Sequence, residues 1–246
     1  SAVQARALRG RHGILDPAEV RDAIRPPNIH HPRNTLICVE STHNQGGGTI
    51  YPLETLREIR RIATEHGLAI HLDGARLFNA CVALGVPAKD VAAQADSVTF
   101  CLSKGLAAPV GSVVTGTRAF IDKARRARKM LGGGMRQAGV IAAAGIVALE
   151  TMVDRLREDH ENARLLAAGL AELPGVTVDL QSVQTNIVIF DIRRTDLDTQ
   201  GLVLKLAGQG VKCFSVGPNR IRMVTHKDVD RAGILYALEV LRAILT

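Results

Sequence analysis

Aromatic side chains are scarce in this sequence: phenylalanine, tyrosine and tryptophan make up 3% of 246 residues, and tryptophan is absent. Because 46% of the residues are nevertheless hydrophobic, the core must consist mainly of alanine, leucine, valine and isoleucine. Long apolar runs are also missing, so no transmembrane helix is predicted. The first residues lack the apolar segment of a secretory signal. The length fits one large domain, alone or with a smaller one attached.

Cysteine is sparse as well, and its spacing matches no metal or redox motif. The four cysteines lie far apart, with no Cys-x-x-Cys pair: Cys38, Cys81, Cys101 and Cys213. Three of them stand in apolar runs, which favours small buried thiols in a reducing compartment. We therefore predict a cytoplasmic protein without a metal site.

Acidic residues are fewer than basic ones, which gives a formal net charge of +7. The densest basic cluster, at 123–129, lies in an apparently helical stretch without interleaved aromatic side chains. A solvated helix face explains this cluster better than contact with nucleic acid does. We predict neither a nucleic-acid nor a membrane partner, whereas a small ligand that carries phosphate is compatible with the charge.

Strand-like and helix-like segments alternate in the first part of the chain, as in α/β proteins. Strands are predicted at 35–42, 69–73 and 97–103, and helices at 52–67 and 77–84. The strands are nearly continuous apolar runs, which is typical of a mainly parallel sheet covered on both faces.

The pattern changes near residue 138. One long helix is predicted over 139–173, and the strands and helices of a small α+β domain follow it. We place a domain boundary near residue 150, so that 1–150 form the large domain and 151–246 the small one.

One ammonium group interrupts two apolar runs. Lys104 follows the strand-like segment 97–103 and precedes a second one at 110–116. In open α/β sheets, groups that bind ligands collect where the strands end. A partly desolvated lysine at such a position can act as a Schiff-base nucleophile. The alternative is a lysine that simply extends into solvent from the end of a strand.

Asp73 and Arg76 favour the functional interpretation. Asp73 ends the strand at 69–73, so it lies on the same rim of the sheet as Lys104. A carboxylate there can keep the nitrogen of a pyridine ring protonated. Gly74 and Ala75 are small enough for a flat ring to approach, and Arg76 offers a planar fork for a carboxylate. Together these residues indicate a site for pyridoxal 5′-phosphate.

Several motifs in this order resemble a known family. The similarity extends over nearly the whole chain, in the strings NIHHPRNTLICVESTHNQGGG, HLDGARLFNACVALGVP, ADSVTFCLSKGLAAPVGSVV, RKMLGGGMRQAGVIAAAGIVAL and RIRMVTHKDVDR. These strings resemble the low-specificity L-threonine aldolases, which are pyridoxal-phosphate enzymes of fold type I related to the β-eliminating lyases. The resemblance implies the fold of the aspartate aminotransferases, with a mainly parallel large-domain sheet and a small C-terminal α+β domain.

The resemblance implies a role for each matching residue. Lys104 would bind the cofactor covalently, Asp73 would pair with the pyridine nitrogen, and Ala75 would pack against the ring. Arg76 and Arg222 would bind the substrate α-carboxylate, and Arg76 would also contribute to the cofactor site.

The remaining assignments concern proton transfer and neighbouring subunits. His30 resembles the histidine that approaches the substrate hydroxyl, as a base or through a water molecule, whereas a structural histidine is the alternative. Lys129 and Arg136 border a glycine-rich loop that approaches a neighbouring subunit in related enzymes. The resemblance thus implies a homo-oligomer, a dimer of dimers. The glycine-rich segment 40–48 borders the site without a named role.

The implied reaction is retro-aldol cleavage of L-threonine or L-allo-threonine to glycine and acetaldehyde, through an external aldimine and a quinonoid. It belongs to threonine catabolism and glycine biosynthesis. Family members also carry an N-terminal portion of the large domain that we expect to be missing here, including a phosphate-binding turn. Two alternatives therefore stay open: another pyridoxal-phosphate lyase or racemase acting on a small amino acid, and a truncated, non-catalytic fragment that only oligomerises.

Overall fold

Two four-stranded sheets organise the protein, each with helices packed against it. The computed structural model describes residues 3–193 and 199–245. The elements of the first part are α1 (Pro17–Ala23), β1 (Leu36–Glu40), α2 (Leu53–Glu65), β2 (Ala69–Asp73), α3 (Leu77–Leu84), α4 (Ala88–Ala92), β3 (Ser97–Cys101) and β4 (Ser112–Gly116). Those of the second part are α5 (Arg118–Met130), α6 (Gly139–Thr151), α7 (Leu156–Ala171), β5 (Val176–Val178), β6 (Ile187–Ile192), α8 (Thr199–Gly208), β7 (Phe214–Gly217), β8 (Arg220–Val224) and α9 (Arg231–Leu245).

The first sheet has the order β1-β2-β3-β4. Its first three strands run parallel, with Glu40 opposite Asp73 and Asp73 opposite Thr99. The carboxyl ends of β1, β2 and β3 therefore meet at one edge. Helix α2 covers this sheet because its apolar residues recur at helical spacing, and Leu56, Ile59, Ile62 and Ala63 are buried on the same face.

The strand-like segment predicted at 110–116 forms strand β4, Ser112–Gly116, but this strand is not covered like the other strands of the sheet. It runs antiparallel to β3, and most of its residues are exposed. A parallel strand needs a crossover connection, whereas the ten residues between β3 and β4 only reverse the chain direction. The strand thus lies at the end of the sheet order, where its apolar residues are not covered from both sides.

The single long helix predicted over 139–173 is wrong. Helix α6 ends at Thr151, and α7 begins only at Leu156, so four non-helical residues separate the two helices. Leu156 is fully buried against Leu102 and Leu106, next to the partly buried Met152. Burial of these apolar side chains under the segment after β3 outweighs the helical propensity of the sequence, which contains no proline or glycine here.

The second sheet has the order β5-β6-β8-β7, and every neighbouring pair is antiparallel. Helices α7, α8 and α9 supply most of its core, which includes the fully buried Phe190 and Ile221. Within the predicted small domain, 151–246, residues 194–198 and 246 lie outside the described residues.

The structure can be compared with two further expectations, that most cysteines are buried and that no helix crosses a membrane. Cys81 and Cys213 are buried, whereas Cys38 is exposed because it stands on the outer strand β1. Helices within residues 3–193 and 199–245 are all too short or too polar to cross a membrane.

Candidate active site

Lys104 lies in a compact turn that follows β3. The backbone N–H of Ala107 donates to the carbonyl of Lys104 at 2.9 Å, and the N–H of Cys101 donates to the carbonyl of Ala75 at 3.3 Å. The second bond fixes the end of β3 against the turn after β2. The side chain of Lys104 is exposed and makes no hydrogen bond or ion pair with the described residues. Its amine is therefore available at the carboxyl edge of the sheet.

Asp73 ends β2 on the strand next to Lys104. Its Oδ1 accepts the backbone N–H of Ala75 at 3.1 Å, which orients the carboxylate along the following turn. Gly74 donates its N–H to the carbonyl of Thr99 at 2.8 Å. A Cβ at this position would lie 3.0 Å from that carbonyl oxygen, so the close approach of the two strand ends favours glycine.

Arg76 and Arg222 converge on a single oxygen atom. Arg76 Nη1 donates to Asn44 Oδ1 at 3.2 Å, and Arg222 Nη2 donates to the same oxygen at 2.9 Å. Burial lowers the pKa of Arg76, and the positive charge of Arg222 lowers it further. Burial also lowers the pKa of Arg222. Two partly desolvated guanidinium groups thus share one neutral acceptor, which is an environment that favours an anion.

The guanidinium of Arg222 is only partly satisfied. Its Nε is buried and has no hydrogen-bond partner among the described residues. Arg220, two positions earlier on β8, pairs with Asp191: its Nε and Nη2 donate to the two carboxylate oxygens of Asp191 at 2.7 and 2.9 Å. The Nε–Nη2 edge of Arg220 is therefore already occupied by a carboxylate, whereas the Nε of Arg222 is available to a ligand.

His30, Lys129 and Arg136 stand apart from this cluster. His30 lies on an exposed loop before β1, where its backbone N–H donates to Asn28 Oδ1 at 2.8 Å. No described contact joins it to Lys104, Asp73 or the arginines. Lys129 is in the last turn of α5 and Arg136 in the loop before α6, and both are exposed. Their functional roles stay predictions.

A buried polar pair behind Lys104 had no signal in the sequence. Asn79 Nδ2 lies 3.1 Å from Nε2 of His160, and both residues are almost fully buried. A Cβ on Gly105 would lie 3.2 Å from Asn79 Oδ1. The pair therefore joins α3 to α7 directly beneath the turn that carries Lys104. Burial and the positive charge of Arg164 lower the pKa of His160 to about 4.

This histidine should make the fold sensitive to acid. A histidine in the unfolded chain titrates near 6.5, whereas the buried ring does so at about 4. Between these pH values the unfolded state binds a proton that the native state does not, so stability decreases as the pH falls through this window. We expect a loss of about 3 kcal/mol of unfolding free energy from this residue.

Urea unfolding at a series of pH values between 7 and 4 measures this effect. His160→Gln, which keeps hydrogen-bonding groups but does not titrate, should show a shallower pH dependence than the unchanged chain. His66→Gln, at an exposed position that ends α2, should leave the slope unchanged. Parallel curves for the unchanged chain and His160→Gln would contradict the assignment.

Comparison with known proteins identifies the family. The family model described as "Beta-eliminating lyase" matches residues 1–193. Low-specificity L-threonine aldolase 1 of Arabidopsis thaliana is 42% identical over 229 residues, which are 92% of this chain and 64% of that protein. The low specificity L-threonine aldolase of Escherichia coli K12 is 40% identical over 233 residues, covering 95% of this chain and 67% of the relative. The chain thus spans about two thirds of the length of these curated relatives.

Solved structures share the fold at lower identity. A threonine aldolase from Leishmania major superposes with a TM-score of 0.78 at 20% identity, over 97% of this chain and 70% of the other. A PLP-dependent aminotransferase from Streptococcus suis 89-1591 gives 0.69 at 21% identity, over 94% and 60%. The predicted fold class, fold type I of the PLP-dependent enzymes, is confirmed. With the match over 1–193, these similarities show that the chain belongs to the β-eliminating lyase family, in the group that includes the low-specificity L-threonine aldolases.

Proposed function

We propose that this chain supplies the cofactor and substrate sites of an aldehyde-lyase that cleaves L-threonine or L-allo-threonine to glycine and acetaldehyde. One observation carries the proposal: Arg76 and Arg222 converge on one oxygen at the sheet edge where Asp73 ends β2 and where Lys104 lies in the turn after the adjacent strand β3. An α-amino acid needs both an anion site and an amine-reactive centre. The names of the relatives at 42% and 40% identity support threonine as the substrate.

The residues at this edge fit pyridoxal 5′-phosphate. Lys104 has an exposed amine without a partner among the described residues, so its Nζ is free to bind the cofactor aldehyde. Asp73 would hold a proton at the ring nitrogen, and Ala75 would leave room for the flat ring against the turn that it shares with Asp73. When bound, this cofactor withdraws electrons from the bond that breaks.

The arginine pair would hold the substrate through its carboxylate. Two guanidinium groups from different parts of the fold fix the carboxylate at two points, which restricts rotation of the rest of the amino acid. Arg222 Nε, which is buried without a partner, would gain an acceptor. His30 would take the proton from the β-hydroxyl group, directly or through a water molecule. Its exposed loop would have to approach the arginines for this step.

We further propose a homo-oligomer, a dimer of dimers, in which Lys129 and Arg136 contact the site of a neighbouring subunit. Helix α5 has no buried residue, and α6, which is apolar along most of its length, buries only Gly145 and Ala148. Such a surface is typical of an interface. A cytoplasmic location, a role in threonine catabolism and a domain division near residue 150 belong to the same proposal.

Covalent labelling tests the cofactor site. The purified chain is titrated with pyridoxal 5′-phosphate, reduced with borohydride and digested, and the modified peptide is mapped by mass spectrometry. We expect the adduct on Lys104, and Lys104→Ala should remove it. Lys205→Ala, which changes an exposed lysine on α8, should leave it in place. A saturable adduct on another lysine, or none at all, would refute the proposed site.

The products distinguish the reaction from its alternatives. Acetaldehyde and glycine in equal amounts from L-threonine support the aldolase. Pyruvate and ammonia from serine would indicate another lyase. Inversion of the α-carbon of a small amino acid, without cleavage, would indicate a racemase. Labelling at Lys104 without any product would indicate a chain that binds the cofactor but does not catalyse.

A further inference from the structure

The shared acceptor of the two arginines is a neutral amide that the chain itself supplies. Asn44 lies 32 positions from Arg76 and 178 from Arg222, and its Oδ1 accepts a hydrogen bond from each. The amide oxygen therefore stands where the two guanidinium groups converge. In the proposed function, that position belongs to an oxygen of the substrate carboxylate.

The backbone of Asn44 is fixed at the end of β1. Its N–H donates to Glu40 Oε1 at 2.9 Å, and its carbonyl accepts the N–H of Gly47 at 3.3 Å. His43 and Thr49 close the base of this loop in a two-residue bridge. Because the loop is held at these points, rotation of the Asn44 side chain is sufficient to vacate the position between the arginines.

The amide of Asn44 does not satisfy the two guanidinium groups that surround it. It offers one oxygen and no charge to two guanidinium groups, and Arg222 Nε stays buried without a partner. Nε and Nη2 form one edge of the guanidinium, and a carboxylate can satisfy both atoms of that edge at once. Asp191 does so for Arg220 on the same strand. A carboxylate that enters beside Arg222 would therefore bind more strongly than the amide that it replaces.

We propose that Asn44 is a positioning residue whose amide oxygen holds the carboxylate position before the substrate binds and yields it to the substrate α-carboxylate. Its neutrality is essential, because an aspartate here would satisfy the arginines permanently and exclude the substrate. This inference rests on the proposed function.

Asn44→Asp should stabilise the folded chain and weaken the binding of the substrate carboxylate. The new carboxylate neutralises one of two adjacent positive charges and supplies the acceptor that Arg222 Nε lacks, so the unfolding midpoint of the cofactor-free chain should rise by about 2–4 °C. The dissociation constant of glycine, measured by calorimetry on the cofactor-loaded protein, should increase by about tenfold or more. The KM for L-threonine should increase similarly, with kcat changed less than about threefold.

Two control variants isolate the role of the amide. Gln45→Glu adds the same charge one position further along, on an exposed side chain without a contact to either arginine, and should change neither property. Asn44→Ala removes the displaceable group without adding a charge, so glycine no longer has to displace an amide and should bind more tightly than to the unchanged chain.

Three results would overturn the inference. They are a lowered midpoint for Asn44→Asp, unaltered glycine binding by that variant, and a loss of glycine binding by Asn44→Ala as large as that of Asn44→Asp. Borohydride labelling of Lys104 in each variant separates this inference from the proposed function. A missing label in the unchanged chain refutes the function, whereas normal labelling with one of the three results refutes only the role of Asn44.

Discussion

Under the proposed function, Asp73→Asn should lower the rate of threonine cleavage by about 10²- to 10³-fold, which is the usual effect of removing one electrostatic group from a reacting centre. The substitution keeps the shape of the side chain and its hydrogen bond from the Ala75 N–H. It removes only the negative charge, and that charge is what would keep a proton on the cofactor ring nitrogen. A neutral amide oxygen accepts a hydrogen bond but stabilises the protonated ring far less.

The measurement is kcat for acetaldehyde release, together with the extent of borohydride labelling at Lys104. Labelling should persist, because Asp73→Asn leaves Lys104 in place and the described residues show no contact between the Lys104 side chain and Asp73. Asp22→Asn is the matched control, because it removes the same charge from an exposed position on α1. A kcat of Asp73→Asn within about threefold of the unchanged chain would show that Asp73 is not the partner of the ring.

The sequence was sufficient to predict that Asp73 and Lys104 share one edge of a sheet. Asp73 ends one short apolar strand and Lys104 follows the next, and the carboxyl ends of neighbouring parallel strands lie at the same edge of the sheet. Arg76 follows Asp73 by three residues and so lies in the same region. Asp73, Arg76 and Lys104 therefore lie near one another because of the order of the strands along the chain.

Asn44 and the Asn79–His160 pair could not be predicted in the same way. Asn44 stands in a glycine-rich loop where asparagine is common for reasons of turn geometry, and its partner Arg222 is 178 positions away. His160 lies in a charged stretch of α7 that looks solvent-exposed. Asn44 and the Asn79–His160 pair gain their roles from tertiary contacts between residues far apart in the chain. Such contacts leave no periodic pattern in the sequence around these residues.

The error in the predicted helix has the same origin, and the exposure of β4 likewise depends on tertiary structure. Strand β4 follows a ten-residue connection that turns back instead of crossing over the sheet. The break between α6 and α7 depends on the burial of Leu156 beneath the turn that carries Lys104. Local propensity favours a continuous helix there, and long-range packing overrides it.

An ion pair between Arg155 and Asp159 lies in the interior, at the end of the break between α6 and α7. Asp159 is fully buried in α7, and its two carboxylate oxygens accept Nη1 and Nη2 of Arg155 at 3.2 and 2.7 Å. Arg155 is 19% exposed. The carbonyl of Asp159 also accepts the hydroxyl of Thr225 at 2.6 Å, directly after the strand that carries Arg222. Burial raises the pKa of Asp159 despite its partner, so desolvation offsets much of what the pairing contributes.

Asp159→Ala should therefore lower the free energy of unfolding by about 3–5 kcal/mol, because it removes the buried partner of Arg155 and leaves its largely buried guanidinium with only the exposed carboxylate of Glu158 nearby. Urea unfolding at neutral pH measures the change. Glu158→Ala is the matched control: Glu158 also faces Arg155, at 3.6 Å, but it is exposed and should contribute less than about 1 kcal/mol. The double variant Arg155→Met, Asp159→Leu should recover much of the loss, since it removes both charges and keeps apolar volume. If the double variant is less stable than Asp159→Ala, the ion pair itself, and not the unpaired guanidinium, accounts for the stability of this region.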